Sequence, residues 1–267
     1  MSDSEPVKAT VRAKRVLAPL ASYGFDPTES AVPWSRLRLA GHTVTFATPD
    51  GAPGEADRRM VTGEELPHLL RKTLQATPDA VRLYRLMESS PEFRAPISYA
   101  AIEVEAFDAL LLPGGHDKGM RVYLEHPVLQ ARVAEFFAAG KPVAAICHGT
   151  LLAARSRRRD DRSVLWGRKT TGLTRGQELA AWWMTRATLG DYYRTYQMPM
   201  ADELRSNLRS PADYDPGPGF PIPLGRDSER DLSAGFTVRD GNYLSARWPG
   251  DAYSFSQALL AMLEEEA

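Results

Sequence analysis

The feature that most constrains the fold is a pair of short, fully apolar runs on either side of a helical pattern. The first, "ALLLPGG" (109–115), ends in Pro-Gly-Gly, and the second, "PVAAICHG" (142–149), ends in Cys-His-Gly. Such runs are typical of strands buried on both faces, as in a parallel sheet covered by helices. Between them, "HPVLQARVAEFFAAGK" (126–141) has the spacing of an amphipathic helix that stops at a glycine. This order predicts a doubly wound, flavodoxin-like α/β fold, with a mostly parallel sheet sandwiched by helices.

The N-terminal part of the chain has the same order of elements. "KRVLAPLA" (14–21) and "HTVTFATP" (42–49) each predict a strand. Between them, Asp26 is a candidate N-cap, and Glu29 lies three residues later, as in a capping box. Gly41 is a natural end for the helix that starts there. We therefore expect a β-α-β unit at the start of the domain.

Weaker patterns predict the remaining elements. Two helical segments are expected before the first apolar run, and two strands and a last helix after the second. The two helical segments are residues 63–75 and 79–89, the two strands are 163–173 and 235–250, and the last helix is 251–266. The second of these strands contains an Asp-Gly pair, which is typical of a hairpin turn.

Residues 177–232 do not fit this alternation. They begin with an aromatic-rich helix, "QELAAWWMTRATLGDYYRTYQ", and continue into a Pro/Gly-rich loop, "SPADYDPGPGFPIPLGRD". Because so long a loop is unusual in a compact domain, we interpret the segment as an insertion in a single domain spanning 1–267, with residues 1–13 as a flexible tail. Its aromatic side chains, among them Trp182 and Trp183, either form a core or a subunit contact or line a substrate pocket.

Composition narrows the classes of function. With 267 residues, of which 43% are hydrophobic and 25% charged, the chain has an ordinary globular composition and enough length for a sizeable core. A formal net charge of −1 provides no overall field that would favour nucleic acid, an acidic substrate or an anionic membrane. No apolar run approaches the roughly 18 residues of a membrane span, and the first residues do not resemble a signal peptide. The single cysteine, Cys147, fits a reducing compartment, so we expect a cytoplasmic protein.

No motif in the sequence indicates a cofactor. The histidines are scattered, and neither a helical His pair nor a second cysteine completes a zinc set. No Walker loop and no G-x-G-x-x-G follows a predicted strand. The run "RSRRRDDR" (155–162) is short and mixed in sign, which is typical of a solvated turn. We therefore expect no metal, no nucleotide cofactor and no nucleic-acid partner.

Cys147 stands where a strand passes into a helix, and that position has chemical consequences. A helix N-terminus carries partial positive charge and free N–H groups, which favour a thiolate and can hold an oxyanion. Gly149 relieves crowding in the turn, as in a nucleophile elbow, although the motif G-x-S-x-G is absent. The alternative is that Cys147 is a buried packing residue, as most free cysteines are.

Several segments together resemble the ThiJ/PfpI superfamily, a branch of the class I glutamine-amidotransferase-like fold. The similar segments are "AAICHGTLLAA", "LLLPGGH", "ESAVP" and "DGNYLSARWPGDAYSFSQALLAML". The resemblance implies that Cys147 is the nucleophile, with His148 beside it. It also implies that the loop of Gly114 and Gly115 offers a backbone N–H to the oxyanion. Finally, it places Glu29 within reach of the nucleophile.

Two explanations of Glu29 stay open from the sequence. The capping box accounts for its position by itself. In the functional interpretation, burial and the neighbouring thiolate raise the pKa of its carboxyl group. The protonated carboxyl would then donate a hydrogen bond to sulfur and act as acid and base.

A further segment is similar to one branch of the superfamily. "TTGLTRGQE" (170–178) resembles the "TGF-x₄-E" segment of the glutathione-independent glyoxalases of the glyoxalase III type. The resemblance implies a Cys-His-Glu triad in which Glu178 orients His148, as the carboxylate does in other triads. The alternative is that Glu178 lies in the first turn of a helix, where acids are favoured. His116, Trp182 and Trp183 are further candidates for contact with the substrate.

These resemblances imply a cofactor-free lyase that converts a 2-oxoaldehyde such as methylglyoxal to a 2-hydroxy acid. The expected partners are a small-molecule substrate and a second copy in a homodimer, with no membrane. The aromatic surface of 177–232 favours an alternative, a hydratase or amidase acting on a larger metabolite. A second alternative is a non-enzymatic stress protein, either a chaperone or a redox sensor whose cysteine oxidises to sulfinate.

Overall fold

A seven-stranded sheet forms the centre of the structure, a computed structural model that describes residues 12–219 and 224–265. The strand order is β5-β3-β1-β6-β7-β9-β8, and β2 and β4 form a separate two-stranded sheet. Neighbouring strands of the main sheet are parallel except for the pair β8 and β9, which is antiparallel. The strands are β1 Arg15–Pro19, β2 Tyr23–Phe25, β3 Thr43–Thr48, β4 Glu55–Ala56, β5 Ile97–Ser98, β6 Ala109–Leu112, β7 Val143–Ile146, β8 Thr237–Asp240 and β9 Tyr243–Ala246.

Helices flank this sheet, which confirms the predicted α/β architecture. Helix α1 packs against α4 and α11, whereas α8 packs against α6, α7 and α10. The helices are α1 Pro27–Leu39, α2 Arg58–Thr62, α3 Arg71–Leu74, α4 Pro78–Glu88, α5 Pro91–Arg94, α6 Arg121–Leu124, α7 Pro127–Ala138, α8 Gly149–Arg155, α9 Arg175–Leu189, α10 Met200–Ser206 and α11 Ala252–Glu264. None of the helices in the described part of the chain is both long enough and apolar enough to cross a bilayer.

The two apolar runs form adjacent central strands, as predicted. All four residues of β6 and all four of β7 are buried, and β6 pairs with β7 on one side and with β1 on the other. The chain leaves β1 toward β3 and later returns to the other side of β1 at β6. This reversal makes a crevice at the carboxyl ends of β1 and β6, where ligands bind in open α/β sheets. The loops after β1, β6 and β7 therefore meet at one edge of the sheet.

Two predicted elements differ from the structure. Residues 163–173 contain isolated bridges at Ser163 and Thr170 rather than a strand. The edge position beside β9 is occupied by β8, so Thr170 pairs instead with the loop at Tyr214. In 63–75 only α3 is helical, because Gly63 takes a left-handed conformation (φ 71°) that ends α2, and Pro67 follows shortly after. The predicted hairpin at 235–250 is confirmed by β8 and β9.

Residues 177–232 contain most of α9, all of α10 and a long loop. The interpretation of this segment as an insertion stays a prediction, as does the single-domain boundary. Residues 220–223 of the loop and residues 1–11 of the predicted tail lie outside the described residues. Helix α10 contacts both α8 and α9, so the segment packs beside the helix that follows Cys147.

Candidate active site

Cys147 lies at a strained turn between β7 and α8. Its φ angle is +54°, in the left-handed region that non-glycine residues seldom adopt. The turn is held by a backbone hydrogen bond from Cys147 N to Ala246 O (3.1 Å) and by the Thr150 hydroxyl, which donates to Cys147 O (2.7 Å). A side chain at Gly149 would meet Leu112 O at 2.0 Å, so only glycine lets α8 start this close to β6. The sequence therefore forms the elbow that its Cys-His-Gly motif predicts.

Glu29 lies in the first turn of α1 and is fully buried. The capping box predicted for it is only half formed. Asp26 accepts hydrogen bonds from Thr28 N (2.7 Å) and Glu29 N (3.1 Å), but Asp26 N donates to Gly114 O (2.8 Å) instead of to the Glu29 side chain. The Glu29 carboxyl accepts through Oε2 from Gly114 N (2.9 Å). Helix capping therefore does not account for the direction of this side chain.

The other oxygen of Glu29, Oε1, is buried and has no hydrogen-bond partner among the described residues. Burial raises the pKa of Glu29 well above its usual range, and the charge of Asp26 raises it further. The interaction with the Cys147 side chain and the Gly114 amide act in the opposite direction. The carboxyl group is therefore protonated more readily than an exposed glutamate, and it is adjacent to the thiol.

The Cys147 thiol differs from the expected low-pKa thiolate. Burial raises the pKa of Cys147 well above its usual range, and the charges of Glu29 and Asp26 also raise it. The His148 amide lowers it, but by less than these influences. Because the thiol is only 3% exposed, desolvation of the charged form outweighs the backbone N–H groups at the elbow. The thiol therefore holds its proton more tightly than an exposed cysteine does.

His148 lies directly beside Cys147. Its Nδ1 is 3.5 Å from Cys147 Sγ, and the residue is 1% exposed. Burial, with a smaller contribution from the charges of His116 and Arg155, lowers the pKa of His148 to about 3. The imidazole is therefore neutral near pH 7 and can accept or pass a proton.

Glu178 does not make the hydrogen bond that a triad would require. Its Oε2 accepts from Met200 N (2.8 Å) at the start of α10, and its Oε1 lies 3.9 Å from Arg194 Nε. Within the described residues no hydrogen bond joins Glu178 to His148. Burial raises the pKa of Glu178 to about 7, against the lowering by the Met200 amide and Arg194. The predicted orienting contact is thus replaced by a contact with the next helix.

The glycine loop after β6 packs tightly around the site. Gly114 N is already engaged by Glu29, so this amide is not free for an oxyanion. Gly115 has φ +151°, and a side chain there would meet Gly24 O at 2.6 Å. His116 stacks on Tyr193, with ring centroids 4.4 Å apart, and its buried Nε2 has no partner among the described residues. The loop brings His116 to the site and holds Glu29 in place.

A cavity of about 120 Å³ leads from the surface to Cys147, and its walls are largely apolar. Four of the candidate residues line it: Cys147, Glu29, His116 and Glu178. Apolar and aromatic side chains form much of the wall; they include Met60, Leu74, Leu173, Met184, Tyr193 and Trp248. Met184 is 50% exposed, so the cavity opens to solvent beside α9.

Neither Trp182 nor Trp183 lines the cavity, so nothing in the cavity lining supports their predicted contact with substrate. Trp183 is 57% exposed and its ring stacks with Arg186, whose Cζ lies 3.7 Å from the ring centroid. Trp182 donates through Nε1 to Asp191 (2.9 Å). The helix turns both rings away from the cavity and presents Ala181 and Met184 instead.

Among the residues of the cavity wall that sequence reasoning missed are Asp26, Arg226 and Trp248. Asp26 carried only a capping signal, and burial raises its pKa to about 6. Arg226 lies in a loop without a local pattern, and Trp248 follows β9. In the described part of the chain, no group of three or more His, Cys, Asp or Glu side chains is arranged to hold a metal ion.

Comparisons with known proteins agree with the fold. A family model described as ThiJ/PfpI family-like matches residues 20–218. A deglycase from Pyrococcus horikoshii is 28% identical over 152 residues, which are 57% of this chain and 68% of that protein. An uncharacterized protein of Schizosaccharomyces pombe is 28% identical over 145 residues, 54% of this chain; the match covers only about half (51%) of that protein.

Solved structures show the same architecture at lower identity. Glyoxalase III from Candida albicans superimposes with a TM-score of 0.66 at 18% identity, covering 93% of this chain and 97% of that one. DJ-1beta from Drosophila melanogaster gives a TM-score of 0.54 at 19% identity, covering 96% of this chain and 91% of that one. At these identities the likeness concerns the fold alone.

Proposed function

The chain belongs to the ThiJ/PfpI family, and from this membership we propose that it is a cofactor-free, cysteine-dependent enzyme acting on a small carbonyl compound. The favoured reaction is that of a glyoxalase III, the conversion of a 2-oxoaldehyde and water to a 2-hydroxy acid. The observation that carries the proposal is a fully buried carboxyl with an unpartnered oxygen, beside the single thiol and on the wall of a cavity.

The first step is addition of sulfur to the aldehyde carbon. The S–H proton passes to the Glu29 carboxylate as the new C–S bond forms, and Glu29 returns that proton to the carbonyl oxygen, which gives a hemithioacetal. Because burial raises the pKa values of both Cys147 and Glu29, a proton moved between them stays within the site. The attack therefore does not require a free thiolate in the resting enzyme.

The second step moves a proton between adjacent carbons. A base removes the C–H proton of the hemithioacetal carbon while the neighbouring carbonyl oxygen takes up a proton, which gives an enediol. A proton then returns to that neighbouring carbon and the hydroxyl group on the sulfur-bearing carbon gives up its proton, which leaves a 2-hydroxy thioester. The Glu29 carboxylate and the neutral imidazole of His148 are the proposed proton carriers, since each is next to the sulfur. Water then cleaves the thioester and regenerates the thiol.

The apolar walls favour a second candidate reaction on a larger molecule. The Pyrococcus relative is named a deglycase, and the cavity has aromatic and aliphatic walls that a three-carbon substrate does not need. In this candidate the same thiol takes up the carbonyl-derived group from a modified amine and releases the amine. Both reactions depend on Cys147, so they differ in substrate rather than in nucleophile.

The test is turnover of methylglyoxal and of a methylglyoxal-modified amine by the wild type and by Cys147→Ser. Formation of lactate that disappears in the variant supports the glyoxalase reaction, and release of amine from the modified compound, without consumption of free methylglyoxal, supports the deglycase. Thr171→Ser, a conservative change of a buried hydroxyl residue that does not line the cavity, serves as a control for the handling of the protein. Full turnover of methylglyoxal by Cys147→Ser would exclude a cysteine mechanism.

A further inference from the structure

We propose that Arg226 binds a carboxylate group of the substrate, so that this enzyme prefers carbonyl compounds that carry a negative charge. The inference rests on the proposed cysteine chemistry and specifies its substrate class. Arg226 and Cys147 line the same cavity, so one ligand can contact both.

The guanidinium of Arg226 has few partners of its own. One nitrogen, Nη2, donates to Thr73 O (2.8 Å), and the Cζ atom lies 4.9 Å from the centroid of the Trp248 ring. Within residues 12–219 and 224–265 it forms no ion pair of 4.0 Å or less and its Nε and Nη1 donors make no hydrogen bond, so the charges of Asp26 and Asp227 act on it only through space. The side chain is half-buried, so its charge is only partly solvated.

The acidic groups near Arg226 are already engaged by backbone amides. Asp26 accepts from the first turn of α1, and Asp227 accepts from Tyr253 N (3.2 Å) and Ser254 N (2.6 Å). Glu178, on the cavity wall, accepts from Met200 N. Each carboxyl group therefore has backbone donors of its own, whereas among the described residues the arginine has only one neutral carbonyl partner. A partly buried charge without a close counter-ion is costly, and a bound anion relieves that cost.

Two residues that share the cavity wall with Arg226 can also donate hydrogen bonds to a carboxylate. Trp248 Nε1 can only donate, and Tyr193 OH can donate; both atoms are buried without a partner among the described residues. Both residues line the cavity with Arg226. Guanidinium and N–H donors match a carboxylate, which accepts several hydrogen bonds and pairs with arginine through two of them. The substrate class that fits is a 2-oxoaldehyde with a carboxylate a few bonds from the reacting carbonyl.

The first experiment measures charge selectivity at Cys147 without relying on turnover. Cys147 is the single cysteine, so intact mass reports its alkylation directly. The probes are N-iodoacetylglycine and N-iodoacetyl-β-alanine, each compared with its methyl ester; sulfur displaces iodide and loses its proton to solvent. The rate ratio of acid to ester is divided by the same ratio for glutathione.

We expect at least one of the two acids to be favoured about tenfold or more in the wild type, since hydrogen bonds to charged groups are worth more than neutral ones. Arg226→Gln should leave no preference for the acid beyond that of glutathione, and Arg226→Lys should retain part of the wild-type preference. The control is Arg82→Gln, an exposed arginine outside the cavity, which should keep the wild-type ratio. A loss of packing alone would slow acid and ester equally, so it would leave the ratio unchanged.

The second experiment compares turnover of 4,5-dioxopentanoate with that of its methyl ester. A preference for the acid that Arg226→Gln abolishes supports the carboxylate site. If neither of these compounds, nor methylglyoxal, nor the modified amine is converted, but the alkylation ratio depends on Arg226, the proposed function fails and the carboxylate site stands. If Cys147 converts methylglyoxal but the alkylation ratios for both probes are the same in wild type and Arg226→Gln, the carboxylate site is overturned and the proposed function stands.

Discussion

The backbone amide of Gly114 donates a hydrogen bond to Oε2 of Glu29 over 2.9 Å and joins positions 85 residues apart in the chain. This bond turns the carboxyl of α1 toward the loop after β6, in the direction of Cys147. It leaves Oε1 without a partner in the described part of the chain. The carboxyl of a residue that a capping motif could explain thereby lies beside the thiol, where the proposed mechanism uses it as a proton carrier.

We expect Glu29→Gln to fold and to lose activity. The amide oxygen of glutamine can accept from Gly114 N, but it cannot take the thiol proton. The expected loss in kcat/KM for the favoured carbonyl substrate is about 10²–10⁴, the usual contribution of positioned acid–base catalysis. Steady-state kinetics measures it, and circular dichroism checks the fold. A folded Glu29→Gln variant with wild-type kinetics would remove Glu29 from the mechanism.

The pH dependence of Cys147 alkylation tests the coupling of the thiol to Glu29. Because burial and the charge of Glu29 raise the pKa of Cys147, the rate with iodoacetamide should rise with pH around a midpoint above about 8.5, the usual thiol value. In Glu29→Gln the midpoint should move to lower pH, since one source of negative charge is gone. A wild-type midpoint near pH 6 would show that the thiol is ionised at rest, contrary to this structure.

Glu178→Gln separates a triad role from a packing role. A carboxylate that orients the catalytic histidine is worth about 10⁴ in kcat in other triads. Since Glu178 contacts Met200 N and lies near Arg194, we expect less than about a tenfold loss in kcat. A loss of three or more orders of magnitude would restore the triad assignment.

The same variant has an expected signature in stability. The folded-state pKa of Glu178 is raised to about 7 from an ordinary value of 4.5, so the folded protein binds the proton more tightly than the unfolded chain. Between these two values, the contribution of this group to the free energy of unfolding falls as pH rises. Relative to wild type, Glu178→Gln should therefore gain stability between pH 5 and pH 8, measured by denaturant unfolding. A constant difference across that range would contradict the raised pKa.

Gly149→Ala tests how closely α8 approaches β6. The added methyl group would meet Leu112 O at 2.0 Å, and the backbone carbonyl cannot move without disturbing the sheet. We expect a loss of at least about 3 kcal/mol in the free energy of unfolding. The matched control is Gly140→Ala, where nothing lies within 4 Å but φ is +70°, so the expected cost is only about 1 kcal/mol. Equal costs for the two variants would contradict the close approach.

Two aromatic variants test which face of the α9 region meets the substrate. Trp183 is 57% exposed and does not line the cavity, so Trp183→Ala should change kcat/KM by less than about twofold. Tyr193 lines the cavity and stacks on His116, so Tyr193→Phe should raise KM because the hydroxyl is lost while the ring stays. Steady-state kinetics on both variants decides whether the face with Trp183 or the face with Tyr193 meets the substrate. An effect of Trp183 larger than that of Tyr193 would return the tryptophans to the binding site.

The central fold could be predicted because its signals are local. The all-apolar runs became β6 and β7, Asp26 starts α1, and the Asp-Gly pair forms the hairpin of β8 and β9. Residues 163–173 have a strand-like composition, but β8 takes the edge position they would need. Whether a short apolar segment pairs in a sheet depends on which neighbour is free, and that is not a local property.

The sequence alone determined the elbow: one cysteine, a glycine two residues later and a buried strand before it suffice to place that cysteine at the edge of a parallel sheet. Only the tertiary structure decided the direction in which the pKa of that cysteine shifts and which side chains surround it. Burial raises the pKa values of Cys147 and Glu29 against the effect of the local backbone. The pairing of Glu178 with Met200 and the position of Arg226 likewise depend on helices and loops distant in the chain. Desolvation and charge interactions act through space, so residue types and spacings do not reveal them.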